Sequence, residues 1–195
     1  MKIATWPFYE EDEIKLASNV LKSGKVNYWT GDQGFSFEKE FASWCGTKHA
    51  IALSNGSLAL YSIYRSIGLK EGDEVITTPR TFIATSSCAL MLGAKPIFAD
   101  VDLDSGCITA ETIAPLINDR TKAISLVHLA GWPADIIPIK KLAKKFNLYL
   151  IEDCSQAHGA SIEIDGHEQS VGSFGDASAW SFCQDKIIST AGEGG

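Results

Sequence analysis

The sequence predicts an α/β fold in which a mostly parallel sheet is covered by helices on both faces. Short apolar runs alternate with stretches of helical period, as in chains whose parallel strands are joined by crossover helices. The runs are apolar at consecutive positions, which is typical of strands buried on both faces. Ligands in such sheets bind beyond the carboxyl ends of the strands, so the residues that follow each strand are the candidate site residues.

Two helices are predicted before this alternation begins. The first covers residues 10–23 and ends at Gly24, because glycine readily adopts the left-handed conformation that closes a helix. Its apolar positions are Ile14, Leu16, Val20 and Leu21. Residues 25–34 are predicted to form a loop, and residues 35–45 a second helix.

From His49 onward, strands and helices alternate. Strands are predicted at 49–53, 74–78, 95–99, 122–127, 148–152 and 177–182. Helices are predicted between them at 58–67, 82–92, 109–117 and 135–146. Residues 160–171 predict a hairpin that turns at Asp165-Gly166, since this dipeptide suits the tight turn between antiparallel strands.

The composition is that of an ordinary globular protein. The chain has 195 residues, 45% hydrophobic and 21% charged, enough for one substantial core. Its formal charge of −7 disfavours a nucleic acid or an anionic membrane as partner. Five cysteines without a CxxC pair indicate neither a disulfide framework nor a zinc site, so no metal is expected. No apolar run is long enough to span a bilayer, and a cytoplasmic protein is expected.

The first predicted strand is followed by Ser54-Asn55-Gly56-Ser57, which opens a helix. Free N–H groups at a helix N-terminus suit a phosphate, Gly56 allows the backbone to approach it, and Ser57 offers a hydroxyl. An ordinary helix cap explains the same residues, and this segment alone favours the cap. The glycine-rich fingerprints of dinucleotide-binding and P-loop proteins are absent.

Two other strand ends have residues with alternative roles. Phe82 is interpreted either as a core residue or as an aromatic that lies over a flat ring. Asp153 either caps the next segment or pairs with a cationic ring nitrogen, because a buried carboxylate without a partner is costly. His158 is interpreted as a structural hydrogen-bonding residue rather than a catalyst.

Lys186 follows the last predicted strand. Apolar and small residues rather than charged ones follow it, over 187–192, whereas a lysine in a loop is usually solvated. A desolvated lysine loses its proton more readily and becomes an amine nucleophile that can form a Schiff base.

Several segments occur in a fixed order along nearly the whole chain. They are Ser54-Asn55-Gly56-Ser57, Gly72-Asp73-Glu74-Val75-Ile76-Thr77, Thr81-Phe82-Ile83-Ala84-Thr85, residues 93–102, Val127-His128-Leu129-Ala130-Gly131, Ile151-Glu152-Asp153 with Gln156-Ala157-His158-Gly159, and Ser181-Phe182 with Lys186 and Gly192-Glu193-Gly194-Gly195. This ordered set resembles the DegT/DnrJ/EryC1/StrS family of sugar aminotransferases, which use pyridoxal 5′-phosphate (PLP) and have the PLP-transferase fold of type I.

The resemblance implies roles around the cofactor ring. Lys186 matches the lysine that binds PLP covalently and, once released, moves a proton. Asp153 matches the acid that keeps the ring nitrogen protonated, which strengthens the electron sink. Gln156 matches the residue near the ring hydroxyl, and Phe82 matches the aromatic that stacks on the ring.

The resemblance also implies a phosphate cradle formed by Gly56, Ser57 and Ser181. Family members usually have histidine where this chain has Cys183, which is interpreted as a packing variant because no base activates its thiol. Relatives that dehydrate sugars have histidine in place of the cofactor lysine, so Lys186 disfavours a dehydratase.

Family members are about twice as long and are dimers. Residues 1–195 are therefore expected to be the PLP-binding large domain without the smaller C-terminal domain. An antiparallel strand is expected to begin at Gly195 and to lie beside the first strand, inside the sheet. The full-length form is expected to be a homodimer.

The function that the resemblance implies is PLP-dependent transamination of a nucleotide-linked keto sugar. L-Glutamate is the expected amino donor, and polysaccharide or glycoside biosynthesis is the expected setting. Two alternatives stay open: a PLP-binding regulatory protein without turnover, and an inactive piece of a longer enzyme.

Overall fold

The structure is a computed structural model that describes residues 6–195 in two compact units, the first ending at Ala52 and the second covering Leu53–Gly195. The first unit contains the helices α1 (Glu11–Ser23) and α2 (Gln33–Cys45), close to the predicted bounds. Gly24 closes α1 with φ of 69°, as predicted. No residue of α1 is buried: of its predicted apolar positions, Ile14, Leu16 and Leu21 are exposed and Val20 is half-buried.

The second unit is built on a five-stranded parallel sheet. Its strands are β1 (Glu74–Thr77), β2 (Lys95–Phe98), β3 (Thr121–Val127), β4 (Tyr149–Asp153) and β7 (Ala177–Ala179). They lie in the order β2-β1-β3-β4-β7, and every neighbouring pair is parallel. The helices are α3 (Gly56–Ser66), α4 (Ala84–Leu90), α5 (Ala110–Ile113) and α6 (Ile136–Phe146). The predicted α/β class with a mostly parallel sheet is confirmed.

Helices cover both faces of this sheet. Consecutive strand residues point to opposite faces, so Val75 packs in the cluster with α3 and α4 while Ile76 packs in the cluster with α5 and α6. Leu150 and Ile151 divide in the same way on β4. Each fully buried side chain of this kind contributes about 1.5–3 kcal/mol to folding.

The hairpin turns where it was predicted to turn. Its strands are β5 (Ser161–Ile164) and β6 (His167–Ser170), paired antiparallel. Asp165 and Gly166 have φ of 51° and 78°, the positive values that a type I′ turn requires at both central positions.

Three predicted elements are shorter in the structure than in the prediction. The helix predicted at 109–117 is α5 followed by a 3-10 turn, Ala114–Leu116, because Pro115 has no N–H to continue the α-helix. The helix predicted at 82–92 is only α4. The strand predicted at 177–182 ends at Ala179, since Phe182 N–H instead donates to Gly194 O at 2.8 Å.

The strand predicted at 49–53 is wrong, because this segment has no strand conformation in the structure. Its last residue nevertheless makes a sheet-like pair. Leu53 N–H donates to Gly195 O at 2.7 Å, and Gly195 N–H donates back to Leu53 O at 3.0 Å. This reciprocal exchange is the hydrogen-bonded pair of antiparallel strands.

Among residues 6–195, no helix is both long and apolar enough to cross a membrane.

Candidate functional site

The carboxyl ends of the strands border a cavity of about 450 Å³ in the second unit. It is lined by all seven residues for which the sequence predicts a cofactor contact: Gly56, Ser57, Phe82, Asp153, Gln156, Ser181 and Lys186. These residues are far apart in the chain and meet because parallel strands end at the same edge of a sheet.

One part of the cavity wall is the N-terminus of α3. Asn55 caps this helix, since its side-chain oxygen accepts a hydrogen bond from Leu58 N–H at 2.8 Å. The N–H groups of the first turn have no acceptor within the helix, as at every helix N-terminus. A helix cap and an anion site were alternatives in the sequence. In the structure they are compatible, because Asn55 is the cap and Gly56 and Ser57 stay at the cavity wall.

Gly56 is in close contact with the segment that follows β7. A Cβ added to Gly56 would lie 2.8 Å from Ser181 Cβ and 3.1 Å from Trp180 O, which is too close for any larger residue. Glycine is therefore required here for the α3 N-terminus and Ser181 to approach each other across the cavity wall.

Asp153 is the last residue of β4 and is 4% exposed. Its Oδ2 accepts a hydrogen bond from Thr85 Oγ1 at 2.7 Å, and its Oδ1 accepts one from Ser155 N–H at 3.1 Å. None of the ion pairs among the described residues includes Asp153. A buried carboxylate that lines a cavity and has no cationic partner among the described residues is suited to a cationic ligand.

Phe82 and Gln156 present different surfaces to the cavity. Phe82 is 64% exposed, so the core alternative for this residue is wrong. Gln156 Oε1 accepts a hydrogen bond from Ala130 N–H at 2.8 Å, and Ala130 has φ of 52°, a value that few non-glycine residues adopt. Because the oxygen is engaged in this way, the Nε2 end of Gln156 is left as a donor.

Among the described residues that line the cavity, Lys186 is the one lysine. Its side chain is 17% exposed, and its Nζ lies 3.1 Å from Oδ2 of the exposed Asp185. The desolvation expected from the sequence is therefore partial, since the ammonium has a carboxylate neighbour. The Cys183 thiol and the Lys186 ammonium both lower the pKa of Asp185, which keeps this carboxylate charged.

The Cys183 thiol donates a hydrogen bond to Glu193 Oε1 at 3.2 Å. Hydrogen bonds to Asp185 and Glu193 raise the pKa of Cys183, so the thiol stays protonated and is a poor nucleophile. This agrees with its interpretation as a packing variant.

The interpretation of His158 as a hydrogen-bonding residue is wrong. Both ring nitrogens are buried and have no hydrogen-bond partner among the described residues. The ring packs instead between Trp180 and Phe182, with centroid distances of 5.1 Å and 5.2 Å. Burial, with a smaller contribution from Lys186, lowers the pKa of His158 to about 4 from 6.5.

We expect the free energy of unfolding to fall as the pH is lowered from 6.5 to 4, because the unfolded chain binds a proton at His158 that the folded chain excludes. This contribution is complete above pH 6.5, and its loss amounts to at most about 3 kcal/mol. Urea unfolding at a series of pH values measures it. His158→Phe should lack this part of the pH dependence, and His167→Gln, at an exposed histidine, should keep it. The same pH dependence in the wild type and His158→Phe would contradict the assignment.

Another buried cluster contains His128, Glu152 and Cys154, with potential ligand atoms within 4.8 Å of one another. Protein hydrogen bonds occupy its polar atoms. His128 Nδ1 accepts from Ala134 N–H at 3.1 Å, which leaves the ring proton on Nε2 for Glu152 Oε2 at 3.0 Å. Glu152 also accepts from three N–H groups of the loop before β7: Gly172, Phe174 and Gly175. The cluster therefore fixes this loop beside β4 rather than offering free ligand atoms.

Sequence reasoning missed several polar residues of the site. Thr81 lines the cavity, and Thr85 contacts both Thr81 and Asp153. Thr81 lies just before α4 and Thr85 in its first turn, and the signal that could have identified them is that both follow the end of a strand of the sheet. Asp185 and Glu193 also line the cavity, but nothing in their local sequence distinguishes them from solvated acids.

Residues 7–195 match the DegT/DnrJ/EryC1/StrS aminotransferase family. GDP-perosamine synthase of Vibrio cholerae is 36% identical over 97% of this chain and 50% of its own length. UDP-N-acetyl-3-dehydro-α-D-glucosamine 3-aminotransferase of Acidithiobacillus ferrooxidans is 44% identical over 87% of this chain and 45% of its own length.

A solved structure of the aminotransferase from Psychrobacter cryohalolentis is similar to this chain, with a TM-score of 0.94 and 51% identity. The similarity covers 99% of this chain and 48% of that protein. The chain thus spans about half the length of the relatives it matches.

Proposed function

This chain belongs to the DegT/DnrJ/EryC1/StrS aminotransferase family, and on that premise we propose that it forms the cofactor-binding part of a PLP-dependent aminotransferase. The proposed acceptor is a nucleotide-linked keto sugar, and the proposed amino donor is L-glutamate. The observation that carries the proposal is that one cavity brings together a helix N-terminus, a buried carboxylate, an exposed aromatic ring and a single lysine.

These features fit the parts of PLP one by one. The first-turn N–H groups of α3, with the hydroxyls of Ser57 and Ser181, suit its phosphate. The close approach at Gly56 supports this location, because a Cβ there would push the two sides of the cradle apart. Asp153 would hold the ring nitrogen, as the one carboxylate of the cavity wall that is also buried.

The remaining contacts orient the ring. Phe82 has a free face at the cavity wall, as stacking requires. Gln156 is fixed by Ala130 so that its Nε2 donor is available for the ring oxygen. Lys186 would meet the aldehyde, since it is the one lysine among the residues that line the cavity.

When bound, PLP supplies an electron sink for the electrons released at the donor and acceptor carbons. The chain's own residues control charge and protons around it. Asp153 holds the proton on the ring nitrogen. Asp185 accepts a hydrogen bond from the Lys186 ammonium, and removal of that proton makes Nζ a nucleophile and then a base. We propose that Nζ of Lys186 moves the proton between the amine-bearing carbon of the substrate and the C4′ carbon of the cofactor.

The acceptor class is supported by what the relatives are called. The two curated relatives described above are named for products or substrates linked to GDP and UDP. We propose the same class here, in the cytoplasm, in polysaccharide or glycoside biosynthesis. The active form is proposed to be a homodimer, as the family resemblance implies. Because the chain spans about half the length of its relatives, the activity is proposed for the longest polypeptide that contains these residues.

The proposal is tested by following the amino group from ¹⁵N-labelled glutamate into a panel of GDP-, UDP- and dTDP-linked keto sugars by mass spectrometry. The longest polypeptide that contains this chain should label at least one of them, and only when PLP is present. Bound PLP without labelling of any sugar would contradict the aminotransferase assignment and support a PLP-binding protein without turnover.

A further inference from the structure

Thr85 is a buried residue in contact with the carboxylate of the site. It lies in the first turn of α4 and is 0% exposed. Its Oγ1 lies 2.7 Å from Asp153 Oδ2, 2.9 Å from Thr81 Oγ1 and 3.1 Å from Phe82 O. A hydroxyl has one proton, so only one of these neighbours can receive it.

The chemistry of the neighbours fixes the direction of these hydrogen bonds. Asp153 Oδ2 is the nearest of the three, and hydrogen bonds to an ionised acceptor are the strong ones. Phe82 O already accepts from the Thr85 N–H at 3.2 Å. The Thr85 proton is therefore directed at Asp153, and the Thr81 hydroxyl donates to Thr85 in turn. Two hydroxyls thus form a chain of donors that runs from the cavity wall to the carboxylate.

The backbone of Thr85 is fixed from the opposite side. The Tyr64 hydroxyl donates to Thr85 O at 2.9 Å and lies 2.8 Å from Ser125 Oγ. Tyr64 is 0% exposed, and its burial raises the pKa of its hydroxyl, so it stays a donor. The backbone of Thr85 is therefore held beside Asp153, whose other oxygen accepts from Ser155 N–H.

From these contacts we infer that Thr85 is a positioning residue, which holds the Asp153 carboxylate in place and so sets how strongly the site prefers a ring with a protonated nitrogen. The inference rests on the proposed function, because it assigns the cation at Asp153 to the ring nitrogen of PLP. Thr85 acts through Asp153 and need not touch the cofactor. A purely packing role would instead affect every ligand of the cavity equally.

The test compares two noncovalent ligands, pyridoxamine 5′-phosphate and its 1-deaza analogue, in which a C–H group replaces the ring nitrogen. Neither ligand has an aldehyde, so their dissociation constants include no covalent bond to Lys186. Isothermal titration calorimetry is carried out on the wild type, Thr85→Val, Thr85→Ser and Thr77→Val. Thr77 is a matched control, because it is also 0% exposed but its hydroxyl donates to Ser125 O, away from Asp153.

We expect the wild type to prefer pyridoxamine 5′-phosphate over the deaza analogue, and Thr85→Val to reduce this preference about tenfold, as for a lost hydrogen bond to a charged group. Thr85→Ser, which keeps the hydroxyl, and Thr77→Val should retain the preference. If Thr85→Val does not fold, Thr81→Val tests the same chain of donors and should reduce the preference about threefold.

Equal weakening of both ligands by Thr85→Val would overturn the inference and leave a packing role, as would an unchanged preference in Thr85→Val. For the fallback variant, an unchanged preference in Thr81→Val would do the same. These results leave the proposed function intact, since the wild type still binds the ligand. Failure of the wild-type protein to bind pyridoxamine 5′-phosphate would instead overturn the proposed function, and this inference with it.

Discussion

Lys186→Ala is expected to abolish amine transfer, with a loss of at least about 10⁴-fold. Lys186 is the one lysine among the described residues that line the cavity, so none of them offers a second amine to replace Nζ as nucleophile or as base. Lys186→Arg should be equally inactive, because a guanidinium keeps the positive charge near Asp185 but cannot be deprotonated in a protein. The rate of ¹⁵N transfer from glutamate to the keto sugar measures the effect.

Lys144→Ala is the matched control for this substitution. Lys144 is an exposed lysine on α6 that does not line the cavity, and its removal should leave the rate unchanged. Circular dichroism of each variant separates a lost function from a lost fold. If Lys186→Ala retained more than a few per cent of the wild-type rate, Lys186 could not be the residue that binds PLP and transfers the proton.

Asp153→Asn should lower the rate of transfer about 10²–10³-fold, in the range observed when a preorganised electrostatic contact is removed. Asparagine keeps the size of the side chain but has no charge to hold a proton on the ring nitrogen. Its Oδ1 can still accept from Ser155 N–H and its Nδ2 can donate to Thr85 Oγ1, so the local structure should be preserved. A pre-steady-state rate for amine transfer from glutamate is the direct measurement, because that step depends on the electron sink.

Asp100→Asn provides the comparison for Asp153→Asn. Asp100 also follows a strand of the same sheet, but it is exposed and does not line the cavity. This variant should transfer the amino group at the wild-type rate. If Asp153→Asn were as active as Asp100→Asn, Asp153 could not be the partner of a cationic ring.

The arrangement of the sheet was predictable because its signals are local. Val75 and Ile76, or Leu150 and Ile151, are consecutive apolar residues whose side chains must lie on opposite faces, so helices are needed on both. The position of the site followed from the same pattern, since parallel strands end at one edge. Seven residues of the cavity could therefore be identified from their places after the strands, while their chemical roles came from the resemblance to a family.

Features that depend on distant contacts were not predictable in this way. Residues 49–53 have a strand-like pattern, yet strand formation depends on hydrogen bonds from a distant segment, such as those that Leu53 exchanges with Gly195. The contact between Thr85 and Asp153 joins residues 68 positions apart. The absence of hydrogen-bond partners at His158 is likewise a property of the aromatic side chains packed around it, which no local pattern specifies.

The central claim is that Lys186 binds PLP and that this site transfers an amino group from glutamate to a keto sugar. The most direct measurement is the near-ultraviolet and visible absorption spectrum of the purified protein with PLP, before and after addition of glutamate. The predicted result is a band of protein-bound cofactor that glutamate converts to the pyridoxamine form and that Lys186→Ala lacks. A folded sample of the longest polypeptide that contains this chain, with no bound cofactor, would contradict the claim.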